Sequence, residues 1–140
     1  MCGINGFYSK YSNNFDNIIV KMNSAISHRG PDTNGIWSDK NSWIVFGHQR
    51  LSIIDLSTAG NQPMQSNSGR FILTYNGEVY NHLEIRKELK KNDYNIKWCG
   101  SSDTETLLEA INYWGIEIAL QKIHGMFAFG LWDKKTHSLI

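Results

Sequence analysis

Strand-length apolar runs interleaved with helix-period segments constrain this chain most, because each kind of element can bury its apolar side only against another layer. Gly3 to Tyr8 alternates loosely and is rich in Ile, Phe and Tyr, which predicts a short strand ending at the polar run Ser9 to Asn14. Phe15, Ile18, Ile19, Met22 and Ile26 recur at spacings of three and four, the stripe of an amphipathic helix, and Ser27-His28-Arg29-Gly30-Pro31-Asp32 breaks it. Ser42 to His48 has the β-branched and aromatic content of a buried strand. Arg50 to Leu56 continues as a mixed apolar segment into turn chemistry at Ser57 to Asn61, and Phe71 to Tyr75 reads as another strand. Asn81 is placed to cap a short helix over His82 to Lys91. Ser102-Asp103-Thr104-Glu105 is a capping-box pattern, with Leu107, Leu108, Ile111 and Trp114 following on one face. A helical turn from Glu117 to Lys122 leads to Gly125, and Met126 to Trp132 is a near-continuous apolar run of strand length. A turn over Asp133 to His137 precedes a strand starting at Ser138. This order predicts an α+β protein with largely antiparallel pairing, whose last sheet partner lies beyond residue 140.

At 140 residues the chain has the size of one domain or part of one. Hydrophobic residues at 41%, charged residues at 19%, and five Trp, six Tyr and six Phe mark a packed globular protein and exclude a disordered one. A net charge of +1 with no basic stripe argues against nucleic acid and against an anionic membrane as partners; Lys90-Lys91 and Lys134-Lys135 read as solvated turns. No run approaches the roughly 20 apolar residues of a membrane span, and the N-terminus lacks the charged and apolar regions of a signal peptide, so a cytoplasmic location is expected. Cys2 and Cys99 are too few for a disulfide scaffold and lack metal-ligand spacing, which points to a reducing compartment and to no metal site. No internal repeat, low-complexity tract or linker is visible.

Cys2 carries the chemistry that composition does not. Only Met1 precedes it, and its neighbour Gly3 is small, so removal of the methionine would leave a thiol and a free α-amine on one residue. A thiol needs a proton acceptor to become a strong nucleophile, and an N-terminal amine can serve. With reference pKa values of roughly 8 and roughly 8.5, amine and thiol are well matched near neutral pH, and no histidine is required. With Met1 attached, the base would be a peptide nitrogen unable to accept a proton. The plain alternative is an incidental second residue.

Four segments taken in order carry a resemblance: Met1-Cys2-Gly3-Ile4, His28-Arg29-Gly30-Pro31-Asp32, Gln49-Arg50-Leu51-Ser52-Ile53-Ile54-Asp55-Leu56 and Tyr75-Asn76-Gly77-Glu78-Val79-Tyr80-Asn81. With Ser101-Ser102-Asp103 and Gly125-Met126-Phe127-Ala128-Phe129, the chain resembles over its whole length the glutaminase domain of glutamine-hydrolysing asparagine synthetases. These are class II glutamine amidotransferases of the N-terminal-nucleophile hydrolase group. The resemblance implies a four-layer αββα sandwich, C-terminally incomplete within residues 1–140, that hydrolyses the side-chain amide of L-glutamine. It also implies a synthetase domain of the same parent chain as partner, receiving ammonia and using ATP and Mg²⁺, with no cofactor in this domain; a homodimer is left open. Cys2 would be the nucleophile, with Asn76 and the Gly77 N–H as oxyanion donors. Arg50 would hold the substrate α-carboxylate and Asp103 the α-ammonium, while Leu51, Ser52, Ile53 and Ile54 shape the pocket and Glu78 contacts glutamine or the terminal amine.

Each of these residues has a second reading. Asn76-Gly77 is a strong hairpin signal, although the returning strand before Asn81 would be very short. Arg50 reads equally as a surface arginine near Asp55, and Asp103 as an acid favoured by a helix dipole. Glu78 reads as a solvated carboxylate and Leu51 to Ile54 simply as strand. Ser52 lacks any nucleophile-elbow context. His28 and His48 allow comparison with a Cys-His dyad, but scattered histidines are more often structural. Cys99 reads as a free thiol without a catalytic partner, and Arg29-Gly30-Pro31-Asp32 has no assigned chemistry. Two alternatives stand beside asparagine synthesis: the same module serving another acceptor, such as cell-surface polysaccharide or peptidoglycan, and a non-catalytic module that never exposes Cys2.

Overall fold

The computed structural model describes residues 2–11, 14–92 and 96–140. Met1, on which the free amine depends, and two positions of the polar run after the first strand, 12 and 13, lie outside the described residues. Among the described residues, seven strands and four α-helices follow one another as β1 (Gly3–Tyr8), α1 (Phe15–Ala25), β2 (Thr33–Asp39), β3 (Ile44–Arg50), β4 (Met64–Gln65), β5 (Phe71–Val79), α2 (His82–Lys91), α3 (Asp103–Trp114), α4 (Ile116–Lys122), β6 (Gly125–Asp133) and β7 (Ser138–Leu139). All strand pairs are antiparallel, in one sheet ordered β1-β3-β2 and another ordered β4-β5-β6-β7.

Alternation along the central strands sets the layers. In β3, Val45 turns to one side and packs with Phe15 and Ile19 of α1, while Ile44 and Phe46 turn to the other and meet Ile72 and Trp132 of the second sheet. In β5, Ile72 joins that intersheet layer, and Phe71, Leu73 and Tyr75 face a larger core with Leu107, Leu108 and Ile111 of α3 and Ile85 and Leu89 of α2. The result is helix, sheet, sheet, helix: the αββα sandwich expected. None of the helices described is long and apolar enough to cross a membrane.

Several expectations need correction. The sequence reading contains no strand at β2, which pairs residue for residue with β3 from Thr33 opposite Arg50 to Asp39 opposite Ile44. Leu51 to Ile54, read as strand, form an irregular loop. No hairpin turn occurs at Asn76-Gly77: β5 runs straight through to Val79, with Asn76 opposite Ala128 and Gly77 opposite Phe127. Asn81 precedes α2 without capping it through its side chain. That side chain instead donates to the Lys122 carbonyl at 2.9 Å and accepts from His124 N–H at 2.8 Å, fastening α2 to the end of α4. Half the capping box forms: Ser102 Oγ accepts from Glu105 N–H at 3.2 Å, but the Glu105 carboxylate turns to Cys99 N–H and Gly100 N–H at 2.7 and 3.1 Å.

Candidate functional site

Cys2 leads directly into β1, whose first paired residue is Gly3 opposite Gln49. Side chains of Gly3, Asn5 and Phe7 turn to the α1 layer, so Cys2, Ile4 and Gly6 turn toward the second sheet. A Cβ on Gly3 would meet Ile26 of the α1 side, and one on Gly6 would lie 2.9 Å from the Phe46 ring in the intersheet layer. The Cys2 sulfur sits against the Leu51 backbone, 3.4 Å from its N–H and 3.6 Å from its carbonyl.

Across from it, β5 has an exposed backbone edge. β4 pairs only with Ile72 and Leu73, so among the described residues no strand lies beside Tyr75, Gly77 and Val79 on that edge. Tyr75 N–H donates to Gln62 Oε1 at 2.6 Å, the Tyr75 carbonyl accepts from His48 Nε2 at 3.1 Å, and Val79 N–H donates to Asp103 Oδ2 at 2.9 Å. Backbone groups of alternate residues point the same way, so the Gly77 N–H faces this edge too. Among the described residues nothing accepts it. Asn76 and Glu78 follow Ile72 and Thr74 onto the face turned toward the sheet that begins at Cys2. The missing side chain at Gly77 has a packing cause, since a Cβ there would lie 2.5 Å from the Met126 carbonyl and collide with Phe127.

Arg50 is no surface arginine. It is buried, and its Nη1 donates to the Ser57 carbonyl and Asn61 Oδ1, both at 2.8 Å, while Nη2 donates to the Asp55 carbonyl. The contact with Asp55 is through the backbone. The Asp55 carboxylate accepts instead from Ser57 N–H and Oγ and from Ser101 N–H at 2.7 Å. The Ser57 hydroxyl and the Ser101 N–H hold its pKa down at about 2. A Cβ on Gly60 would strike the guanidinium, so the 55–61 loop wraps the arginine closely; among the described residues Nε–H and one Nη2–H have no acceptor.

Asp103, first residue of α3, is also buried. One carboxylate oxygen is used by Val79 N–H and by the Tyr75 hydroxyl at 3.1 Å; the other has no partner among the described residues. Burial, reinforced by the Asp103 charge, pushes the Tyr75 phenol far above its usual range, so Tyr75 stays a donor.

The Gly30-Pro31-Asp32 turn acquires a purpose that its sequence did not announce. It lies on the end of β3, with Pro31 bridged to Arg50 and Asp32 N–H donating to the Arg50 carbonyl at 3.0 Å. Asp32 Oδ2 accepts the Ser52 N–H at 2.7 Å. With the Leu51 N–H on Cys2 and the Ser52 N–H on Asp32, the chain after Arg50 has its backbone donors drawn off and leaves the sheet.

The histidines do not form a dyad with Cys2. His28 is exposed in a short 3-10 turn. His48 is fully buried between the sheets; burial, aided by the charge of Arg50, lowers its pKa to about 4, and its Nδ1 has no partner among the described residues. Cys99 is exposed, with its sulfur 3.8 Å from the Lys97 carbonyl.

A cleft of about 170 Å³ brings together every residue that the resemblance implies for the site: Cys2, Arg50, Leu51, Ser52, Ile53, Ile54, Asn76, Gly77, Glu78 and Asp103. Its wall also contains Gln62, Tyr75, Thr104 and Met126, which the sequence reading did not place there. Of these, Gln62 carried only a weak signal, its position at the end of a turn-rich stretch.

The layers and the cysteine at the head of β1 define a sandwich of the N-terminal-nucleophile hydrolase type. Residues 1–140 match the family described as glutamine amidotransferase domain, and the chain belongs to that family. Similar proteins include asparagine synthetase [glutamine-hydrolyzing] 1 of Bacillus subtilis, 38% identical over 99% of this chain and 22% of that protein. Asparagine synthetase [glutamine-hydrolyzing] 3 of the same organism is 34% identical over the same shares, and amidase chry2 of Gibberella zeae is 32% identical over 100% of this chain and 22% of its own length. The chain thus spans less than a quarter of the length of these relatives.

Proposed function

We propose that this domain hydrolyses the side-chain amide of glutamine through a thioester on Cys2 and passes the ammonia to an ATP-dependent amidation of aspartate in a synthetase portion of a longer parent chain. The convergence of Cys2, Arg50, Asn76, Gly77 and Asp103 on one cleft supports this reading more than any single contact. In the proposed complex, the unused donors of Arg50 take the substrate α-carboxylate and the free Asp103 oxygen takes the α-ammonium, which sets the amide end toward Cys2. Once Met1 is removed, the Cys2 amine accepts the thiol proton as sulfur attacks the amide carbon. The Asn76 carboxamide and the Gly77 N–H receive the oxyanion, a role in which one donor is typically worth about 3 kcal/mol. The C–N bond breaks as the amine returns the proton to nitrogen, releasing ammonia; water then cleaves the thioester to give glutamate and restore the thiol.

ATP and Mg²⁺ belong, in this reading, to the synthetase portion. Among the described residues there is no group of three His, Cys, Asp or Glu side chains that could hold a metal ion. The match to a protein named as an amidase favours one second reading, the same glutaminase chemistry serving a different acceptor.

The deciding experiment measures ammonia release from glutamine by the full-length, Met1-trimmed protein and by its Cys2→Ala and Cys2→Ser forms, with intact mass reporting Met1. Wild-type release with both variants silent is expected. Equal release from all three, or Met1 retained in an active protein, would sink the proposal; Met1 retained with no release would favour the non-catalytic module that never exposes Cys2. Aspartate-dependent asparagine formation separates the two acceptor readings.

A further inference from the structure

We infer that His48 is a positioning residue for this site: its Nε2–H grips the Tyr75 carbonyl and, through the shared peptide, holds the Asn76 carboxamide and the Gly77 N–H in register with Cys2. The inference rests on the glutaminase reading of the cleft. His48 is fully buried and is not among the residues that line the cleft, so it does not touch substrate. A carbonyl oxygen can only accept, which makes Nε2 the protonated nitrogen and leaves Nδ1 as a bare acceptor. Among the described residues that Nδ1 has no partner, in the intersheet layer that also holds the apolar cluster of Ile44, Phe46, Ile72 and Trp132. An aliphatic side chain would fill the layer without an orphaned nitrogen, so the imidazole is a packing liability whose one return is the bond to β5.

That bond falls where the sheet gives β5 no support. On the side toward Tyr75, β4 ends at Met64 opposite Leu73, and Tyr75 is the first residue on the open edge whose N–H and carbonyl take partners from outside the sheet. Gln62 takes the N–H and His48 the carbonyl. The peptide fixed in this way is the one whose nitrogen belongs to Asn76. His48 stands opposite Ile4 in the sheet that starts at Cys2, so its bond, beside that from Thr74 Oγ1 to the Gly47 carbonyl at 3.2 Å, ties the strand behind the nucleophile to the strand that carries the oxyanion donors. Arg50 is the charged neighbour that His48 faces, and together with burial it keeps the ring neutral near pH 7.

The test uses the full-length, Met1-trimmed protein with His48→Leu and His48→Gln. His48→Leu should lower kcat for ammonia release about tenfold to a hundredfold while the glutamine KM stays within about threefold, because the substrate-gripping groups lie elsewhere. His48→Gln, whose carboxamide can donate to the same carbonyl, should recover most of the loss. In wild-type protein labelled with 15N-histidine, NMR should find His48 neutral and protonated on Nε2 from about pH 5 to about pH 8. A folded His48→Leu protein with wild-type kcat overturns the inference, as does an Nδ1-protonated ring or a His48→Gln protein as slow as His48→Leu. Should His48→Leu not fold, the NMR tautomer and the kcat of His48→Gln still decide. Failure of the glutaminase reading looks different: Cys2→Ala would then release ammonia as wild type does.

Discussion

At the scale of single residues, Arg50 and Asn76 are expected to fail in different ways when changed. Arg50 has a double task, since its guanidinium gathers the Asp55 and Ser57 carbonyls and Asn61 Oδ1 before any substrate arrives. Arg50→Lys keeps the charge but replaces a planar fork with a point donor that cannot reach all three acceptors and still meet a carboxylate. The glutamine KM should therefore rise about tenfold or more with kcat changed far less, the pattern of lost uniform binding, and the melting temperature should fall. Among the described residues Asn76 has no comparable side-chain hydrogen bonds and is held by the pairing of β5 opposite Ala128. Asn76→Ala should lower kcat by about a hundredfold to a thousandfold with KM nearly unchanged, as expected of a donor used only when charge develops on the oxyanion. Steady-state kinetics on both variants check the assignment, and an exchange of the two patterns would reverse the roles.

At the scale of elements, the parts legible in the sequence are those whose cause is local. Phe15 to Ile26 shows its stripe because α1 packs one face, and Ser102 signals α3 because its hydroxyl satisfies a donor three residues on. β2 was illegible because Thr33 to Asp39 is an edge strand, largely polar, that owes its existence to pairing with β3. Leu51 to Ile54 misled for the opposite reason: the composition is that of a strand, but Cys2 and Asp32 take the backbone donors a ladder would use. Asn76-Gly77 carries a hairpin signal, overridden by nine residues of pairing between β5 and β6. The functional role of the Gly30-Pro31-Asp32 turn could not be read at all, since it depends on a contact with Arg50 that only the fold creates.

The same scale holds a pH prediction. The Asp55 carboxylate joins the Ser57 turn to Ser101 at the approach to α3, and its folded pKa of about 2 lies below the ordinary value near 4. A depressed carboxylate pKa stabilises the fold above the unfolded-state value, and that contribution fades as pH falls through about 4 to about 2. Asp55→Asn should therefore be less stable than wild type at pH 7, with the gap narrowing steadily below about pH 4. Urea unfolding of both proteins across that range checks it; a gap that widens on acidification would contradict the clamp.

At the scale of the whole molecule, the proposed site is a property of the spacing between the two sheets. The first sheet carries Cys2 and Arg50, the second carries Asn76, Gly77 and Glu78, and Asp103 comes from the helix layer behind the second. Phe46 sets much of that spacing. Its ring lies where a Cβ on Gly6 of β1 or Gly130 of β6 would come within 2.9 and 3.3 Å, and it packs against Trp37, so glycines on both sheets make room for one wedge. Leu108 is buried equally well but sits between α3 and the far face of the second sheet. Phe46→Ala should cost about 3–5 kcal/mol and Leu108→Ala about 2–5 kcal/mol, so stability alone does not separate them. Activity per folded molecule should. With the wedge gone, the sheets can close over the void and move Cys2 relative to Asn76, where a displacement near 1 Å can cost about a hundredfold in rate. Leu108→Ala relaxes behind the site and should leave kcat within about twofold once the unfolded fraction is removed by measurement at low temperature or in stabilising osmolyte. Equal kcat losses in the two variants would mean that intersheet spacing does not govern the chemistry.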